Sequence, residues 1–346
     1  MTRKFYCSLD TLKAVLLKPK DNVELGALLP HHSQIMLDVP SDQIDQVKAD
    51  LKNTESSFAM LIRNRGYIIL PQADCFNDME ALLRKEASGA LFLIDKEPIE
   101  CENLSRSFGV CAVSLNQLQA METLTTHYYR QIEKGGNYSR VLGGQMLTGW
   151  RDILAEKPFI PLNALVIVDN FLLKSVAKGQ KSIINLLDAL LPDTLDINLV
   201  FEVLIVISAK EYPIKAEVLD TVALGVEAGI KRPYSIKVGI LTHNADGRFH
   251  RRVIISNHHF LRSDRGFAHF TDAKADYPND LTLNGAYHDF NRPGNHLMWQ
   301  SMEVDLRSVK SLWLDNKKLK DSGRDANMST NRMEGYCDNR LLNLVS

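Results

Sequence analysis

Apolar runs alternate with amphipathic stretches along most of the chain, and they predict an α/β protein. In the first third, "FAMLIRNRGYIIL" (58–70) reads as two short strands. "CFNDMEALLRKEASG" (75–89) spaces its apolar residues as one face of a helix and stops at a glycine. "ALFLIDK" (90–96) is a strand, "EPIECENLSRSFG" (97–109) a helix ending at Gly109, and "VCAVS" (110–114) another strand. Strands joined through helices by short links predict parallel βαβ pairing.

The stretch 121–159 reads as mainly helical, broken by Gly135–Gly136 and Gly143–Gly144 and stopped by Pro158 and Pro161. A second α/β unit follows. "ALVIVDNFLL" (164–173) is a buried strand ending in Asp169, "SIINLLDALL" (182–191) a helix terminated by Pro192, and "INLVFEVLIVIS" (197–208) the next strand. "KAEVLDTVALGVEAG" (215–229) is a helix and "YSIKVGIL" (234–241) a strand. "RFHRRVIISN" (248–257) and "HFLRS" (259–263) alternate around Asn257–His258, which predicts a tight hairpin. The chain then reads as loop to about 295, with a strand at "SMEVDL" (301–306) and a flexible polar tail at 315–332. These patterns divide the chain into an α/β domain (1–120), a helical connector (121–161), a mixed-sheet α/β domain (162–300), and a terminal strand with its tail (301–346). No internal repeat is evident.

A formal net charge of −1 over 346 residues excludes a polyelectrolyte binder, so any surface for nucleic acid must be a local patch. The five cysteines are scattered without a CxxC pair, which argues against a disulfide scaffold or a cysteine zinc site. The N-terminus lacks an apolar signal segment, and the run at 197–208 is too short to span a bilayer and contains Glu202. A reducing, cytoplasmic setting is the expectation, with no membrane partner.

The patch is found between 231 and 265. Eight Lys and Arg there face two acids, and seven of the ten histidines lie between His243 and His296. On a strand His250 and Arg252 share a face. An imidazole beside a guanidinium can hold phosphate, the guanidinium as a fixed fork and the imidazole as nucleophile or proton donor. Arg248, Arg262 and Arg265 are the other cations expected to converge there. A solvated basic strand face is the alternative. Metal ligation finds no HExxH or HxH spacing, "SVAKGQKS" (175–182) lacks the GxxxxGK of a phosphate-binding loop, and no nucleophile elbow or dinucleotide fingerprint is present. No cofactor is expected.

The stretch "FHRRVIISNHHFLRSDRGFAHF" resembles the closing segment of the phospholipase D-like C-terminal domain of MIT-domain proteins. His250 and Arg252 stand at its His and Arg, Asn257 at its turn, Arg265-Gly266-Phe267 at its Arg-Gly pair, and Phe270 at its closing aromatic. The resemblance covers roughly 162–275 and implies a phospholipase D-like fold. That superfamily carries HxKx4D, with His as nucleophile and Lys on phosphate. Here the spacing gives HxRx4N, so His250 would be the catalytic residue and Arg252 and Asn257 phosphate ligands. An amide cannot charge-orient an imidazole, and no second HxK motif exists. The resemblance therefore implies a module that recognises phosphate on nucleic acid or a phosphorylated partner without efficient catalysis. The alternative is a metal-independent nuclease or phosphodiesterase in which a homodimer pairs two His250 side chains. The element order of the first third also resembles PIN-like nuclease domains, which implies metal-holding carboxylates at Asp10, Asp95, Glu100 and Glu102.

Overall fold

Parallel pairing of short apolar runs builds the first of two sheets. The computed structural model describes residues 4–17, 34–53, 56, 59–60, 68–86, 89–114, 124–132, 149–155, 161–210, 214–244, 249, 251–268, 270, 277–288, 298–329 and 339–345. Strands β1 (Lys4–Ser8), β2 (Gln34–Val39), β3 (Ile69–Ala73), β4 (Leu91–Ile94) and β5 (Cys111–Ser114) lie in the order β3-β2-β1-β4-β5, and every neighbouring pair is parallel. Helices α1 (Leu9–Leu17), α2 (Ile44–Lys52), α3 (Met79–Glu86) and α4 (Pro98–Phe108) make the connections. β1 and β2 are additions to the strands legible in the sequence. The order reverses between β1 and β4, the crevice where open parallel sheets place ligands.

Helix α4 shows how local sequence fixes the joint between the sheets. Pro98 starts it and Gly109 ends it in the left-handed conformation, φ 63°. A Cβ at Gly109 would collide with the Leu162 carbonyl, and Asn163 Nδ2 donates to the Phe108 carbonyl at 2.7 Å. Arg84 reaches from α3 to Asp196 at 2.8 Å. Both core clusters contain residues of both sheets, so the apolar interior is continuous across the joint.

The second sheet contains β6 (His127–Ile132), β7 (Ala164–Val168), β8 (Val200–Ser208), β9 (Ser235–His243), β10 (Arg252–Ser256), β11 (His259–Ser263) and β12 (Asn279–Gly285). Their order is β6-β12-β11-β10-β7-β8-β9. β7, β8 and β9 are parallel, and the remaining pairings are antiparallel. The short α5 (Trp150–Leu154) follows β6, and α6 (Val176–Leu190) and α7 (Ala216–Gly229) carry the crossovers of the parallel part. The chain is thus α/β with one parallel and one mixed sheet. Ile255 pairs with Phe260 across a two-residue loop at Asn257–His258, as the alternation predicts.

Three expectations need correction. The stretch expected as a helical connector includes β6, which pairs with β12 from His127 to Ile132, so the second unit does not begin at 162. The stretch expected as loop between 270 and 295 includes β12. "SMEVDL" is not a strand but part of α8 (Met298–Asp321), which also absorbs the start of the polar tail. Met302, Leu306, Val309 and Trp313 are buried at helical spacing, while Val304 is 62% exposed. The tail then runs along the sheet. Thr242 donates through its N–H to the Asn327 carbonyl at 2.7 Å, and Ser329 donates to the Ile240 carbonyl at 2.9 Å. Among the described residues no helix is long and apolar enough to cross a membrane.

Candidate anion-binding site

β7 is the strand from which the second sheet continues in two directions, to β8 through α6 on one side and to β10 on the other. Asp169 follows it directly and is 1% exposed. Its Oδ1 accepts the Phe171 N–H at 3.0 Å and its Oδ2 the Phe267 N–H at 2.7 Å. One carboxylate therefore ties the turn after β7 to the loop after β11. Burial pushes the Asp169 carboxyl above the ordinary carboxylate range, against the pull of those two N–H groups and of Arg252.

The loop after β11 is held by short polar contacts. Ser263 Oγ accepts the Gly266 N–H at 2.8 Å, and Asn279 Oδ1 accepts the Arg265 N–H at 2.9 Å. Gly266 has φ 100°, and a Cβ there would lie 2.6 Å from Asp169 Oδ2 and 3.1 Å from Arg252 Cδ. Only glycine lets the loop pass this close to both side chains.

Between this loop and the start of α6 lies a cavity of about 660 Å³ lined by Asp169, Phe171, Lys174, Lys178, Arg252 and Arg265, among others. Four cations thus line the same cavity as one buried carboxylate. Arg252 is one whose contacts are fixed. Its Nη1 donates to the Asp264 carbonyl at 2.6 Å, its Nε is 3.9 Å from Asp169 Oδ1, and its guanidinium sits 5.2 Å from the centre of the Phe171 ring. The Nε–H is shielded from solvent and makes no hydrogen bond. The Lys178 ammonium and the Arg265 guanidinium have no ion-pair or hydrogen-bond partner among the described residues. Ser175, which also lines the cavity, stands at the start of α6 with its backbone extended and its hydroxyl making no cap hydrogen bond, leaving first-turn N–H groups without an intrahelical partner. The end of a 15-residue helix adds partial positive charge here.

The site residues expected from sequence separate into groups. Arg252 and Arg265 both line the cavity. Arg262 does not. It pairs in register with Val253, whereas Arg252 pairs with Ser263, so Arg262 lies on the opposite face and sits 3.7 Å from Asp264. Asn257 is corrected to a structural role. It is fully buried, its Oδ1 accepts the N–H groups of Asn163 (2.9 Å) and Ala164 (3.3 Å), and its Nδ2 donates to Asn163 Oδ1 at 2.9 Å. No phosphate can reach it. Of the other cations in the basic window, Arg232 is committed to Asp188 and Asp193 at 3.0 and 3.2 Å. His250 and Arg248 lie outside the described residues.

Sequence reasoning missed Lys174 and Lys178: Lys178 lies in "SVAKGQKS", which lacks the spacing of a phosphate-binding loop, and Lys174 stands just before that stretch. Its position right after a buried strand ending in Asp169 was the available signal. Asp10 and Asp95 stand just beyond the carboxyl ends of the neighbouring β1 and β4, but Glu100 pairs with Lys96 at 3.3 Å and Glu102 with Arg106 at 2.7 Å. Among the described residues no group of three or more His, Cys, Asp or Glu could hold a metal ion. No protein-family model matches this sequence, and no curated protein matches it.

Proposed function

We propose that the chain is a phosphate-recognising module on a phospholipase D-like fold, which binds nucleic acid or another phosphate-bearing partner through the cavity at the end of β7 without efficient catalysis. One observation carries this reading: Lys178 and Arg265 line the cavity without an ion-pair or hydrogen-bond partner for their charged groups among the described residues, beside Arg252 and the start of α6. Cations gathered on a preorganised frame suit an external anion. Guanidinium groups stay protonated at every relevant pH, so they bind phosphate but do not transfer protons. Asp169 spends both oxygens on backbone N–H groups, which fits a positioning role better than acid–base work.

The test is a gel shift with single-stranded and duplex oligonucleotides across a salt series. Affinity should fall steeply with salt, and Arg265→Ala with Lys178→Ala should weaken binding and flatten the slope by about one per removed phosphate contact. Arg262→Ala, on the opposite face, should leave binding unchanged. Substrate should be recovered intact with or without EDTA. An absence of binding at low salt, or an equal loss with Arg262→Ala, would reject the proposal.

A further inference from the structure

The cavity is larger and less polar than a lone phosphate needs. About 660 Å³ falls in the ~300–1,000 Å³ range of sites that enclose whole small molecules. Beside its cations it is lined by Phe171, Leu172, Ala268 and Tyr277. Phe171 stays 38% exposed even though the Arg252 guanidinium sits over its ring. An exposed aromatic backed by a cation is a platform for a flat ring. The number of cations points to the kind of phosphate. A phosphodiester carries one negative charge, whereas a phosphomonoester carries about −1.5 to −2 at pH 7, which suits the cluster of Arg252, Arg265, Lys174 and Lys178 better.

We propose that the cavity takes a nucleotide with a terminal phosphomonoester, either free or at the end of a nucleic-acid strand, its phosphate among these cations and its base against Phe171. This rests on the phosphate-recognition reading above and narrows it to one ligand class. An interior phosphodiester cannot offer the second charge, and a phosphorylated sugar without a base leaves Phe171 and Tyr277 unused. Arg252 links the two halves of the site, since the same guanidinium stacks on Phe171 and lines the anion cavity.

Calorimetry on the full chain at low salt would compare adenosine 5′-monophosphate, ribose 5-phosphate, inorganic phosphate and inositol trisphosphate. Competition would then compare one oligonucleotide with and without its 5′-phosphate. Adenosine 5′-monophosphate should bind about tenfold more tightly than ribose 5-phosphate, the typical worth of one stacked base. Phe171→Leu should bring that ratio close to one without changing ribose 5-phosphate binding, Phe171→Tyr should restore it, and Arg265→Ala should weaken every phosphate ligand. The 5′-phosphorylated strand should outcompete its hydroxyl counterpart. A near-UV circular dichroism spectrum unchanged in Phe171→Leu establishes that the variant is folded. If adenosine 5′-monophosphate and ribose 5-phosphate bind alike and both depend on Arg265, phosphate recognition stands and the nucleotide assignment fails. Tighter binding of inositol trisphosphate, indifferent to Phe171→Leu, also overturns the assignment. If no phosphate compound binds, both readings fall together.

Discussion

Replacing Asn257 by alanine separates a structural role from a ligand-binding one at a position where sequence spacing suggests phosphate contact. The side chain has no exposed surface and holds the start of β7 from the hairpin loop between β10 and β11. Its removal orphans the N–H groups of Asn163 and Ala164 and Oδ1 of Asn163, which face it at 2.9, 3.3 and 2.9 Å. A buried polar group left without a partner costs about 1–3 kcal/mol. With the longer Ala164 contact counted at the low end, Asn257→Ala should lose at least about 3 kcal/mol of stability. Urea unfolding followed by tryptophan fluorescence suits the measurement, because Trp150 and Trp313 lie in different core clusters and report on both. The midpoint should fall with the slope unchanged, and coincidence with far-ultraviolet circular dichroism checks two-state behaviour. Below its transition the variant should bind phosphate ligands with wild-type affinity. A loss under about 1 kcal/mol accompanied by loss of ligand binding would refute the clasp.

Gly266→Ala should lose about 2 kcal/mol or more, because φ 100° and the 2.6 Å approach to Asp169 Oδ2 both exclude a Cβ. It should also weaken phosphate binding by moving Arg252, and a variant matching the wild type in both respects would contradict the geometry. Asp169→Asn tests the buried carboxyl by pH. Burial raises its pKa in the folded chain, so its contribution is fully present below the unfolded value and is lost as pH rises through the folded one. The wild type should therefore gain stability relative to Asp169→Asn as pH falls from neutral, and urea midpoints that keep a constant difference would count against it. Asp196 has the opposite sign: the hydrogen bond from Arg84 holds its carboxyl below the ordinary range, so its contribution is present above the unfolded value and lost as pH falls through the folded one. Asp196→Asn should remove that acid-side loss, and an unchanged acid limb in urea titrations would refute it.

The elements legible in the sequence are those in which one signal acts alone. β7 and β8 are continuous apolar runs, and α4 carries its proline start and glycine stop within 12 positions. The errors arise where a short segment satisfies two periods at once. In "SMEVDL", Met302, Val304 and Leu306 alternate as a strand would, and only the burial of Val309 and Trp313 beyond them shows the helical stripe. In β6 the polar residues His127, Tyr129 and Gln131 outline an exposed strand face, but the inward position at 130 is an arginine rather than an apolar residue. That Arg130 is buried with its Nε donating to Tyr128 Oη at 2.8 Å, a tertiary arrangement no period announces. The anion site divides in the same way. Arg252 and Arg265 stand in a visibly basic stretch, whereas Lys174 and Lys178 come from about 75 to 90 positions earlier and meet them only because β7 and β10 are neighbours. Alternation also separates Arg252 from Arg262, but only once the hairpin register is known.

The placement of β6 has a consequence for the order in which the chain can fold on the ribosome. His127 bonds to Asn284, 157 positions later, and among the described residues β6 has no other strand partner in the sheet. At about 5–20 residues per second, roughly 8–30 s of synthesis separate the two strands. During that interval β6 is a nascent edge with unpaired backbone groups, open to whatever strand or chaperone meets it first. The wait does not end with β12. Asn339 donates to the Leu165 carbonyl at 3.0 Å, and Leu341 and Leu342 fill the core beneath β7, so the strand bearing the anion site is sealed by residues translated some 175 positions after it. A nascent chain arrested before 279 would hold its earlier βαβ units beside an unclosed sheet, and the cavity would still lack the Asn279 side chain that anchors the Arg265 loop.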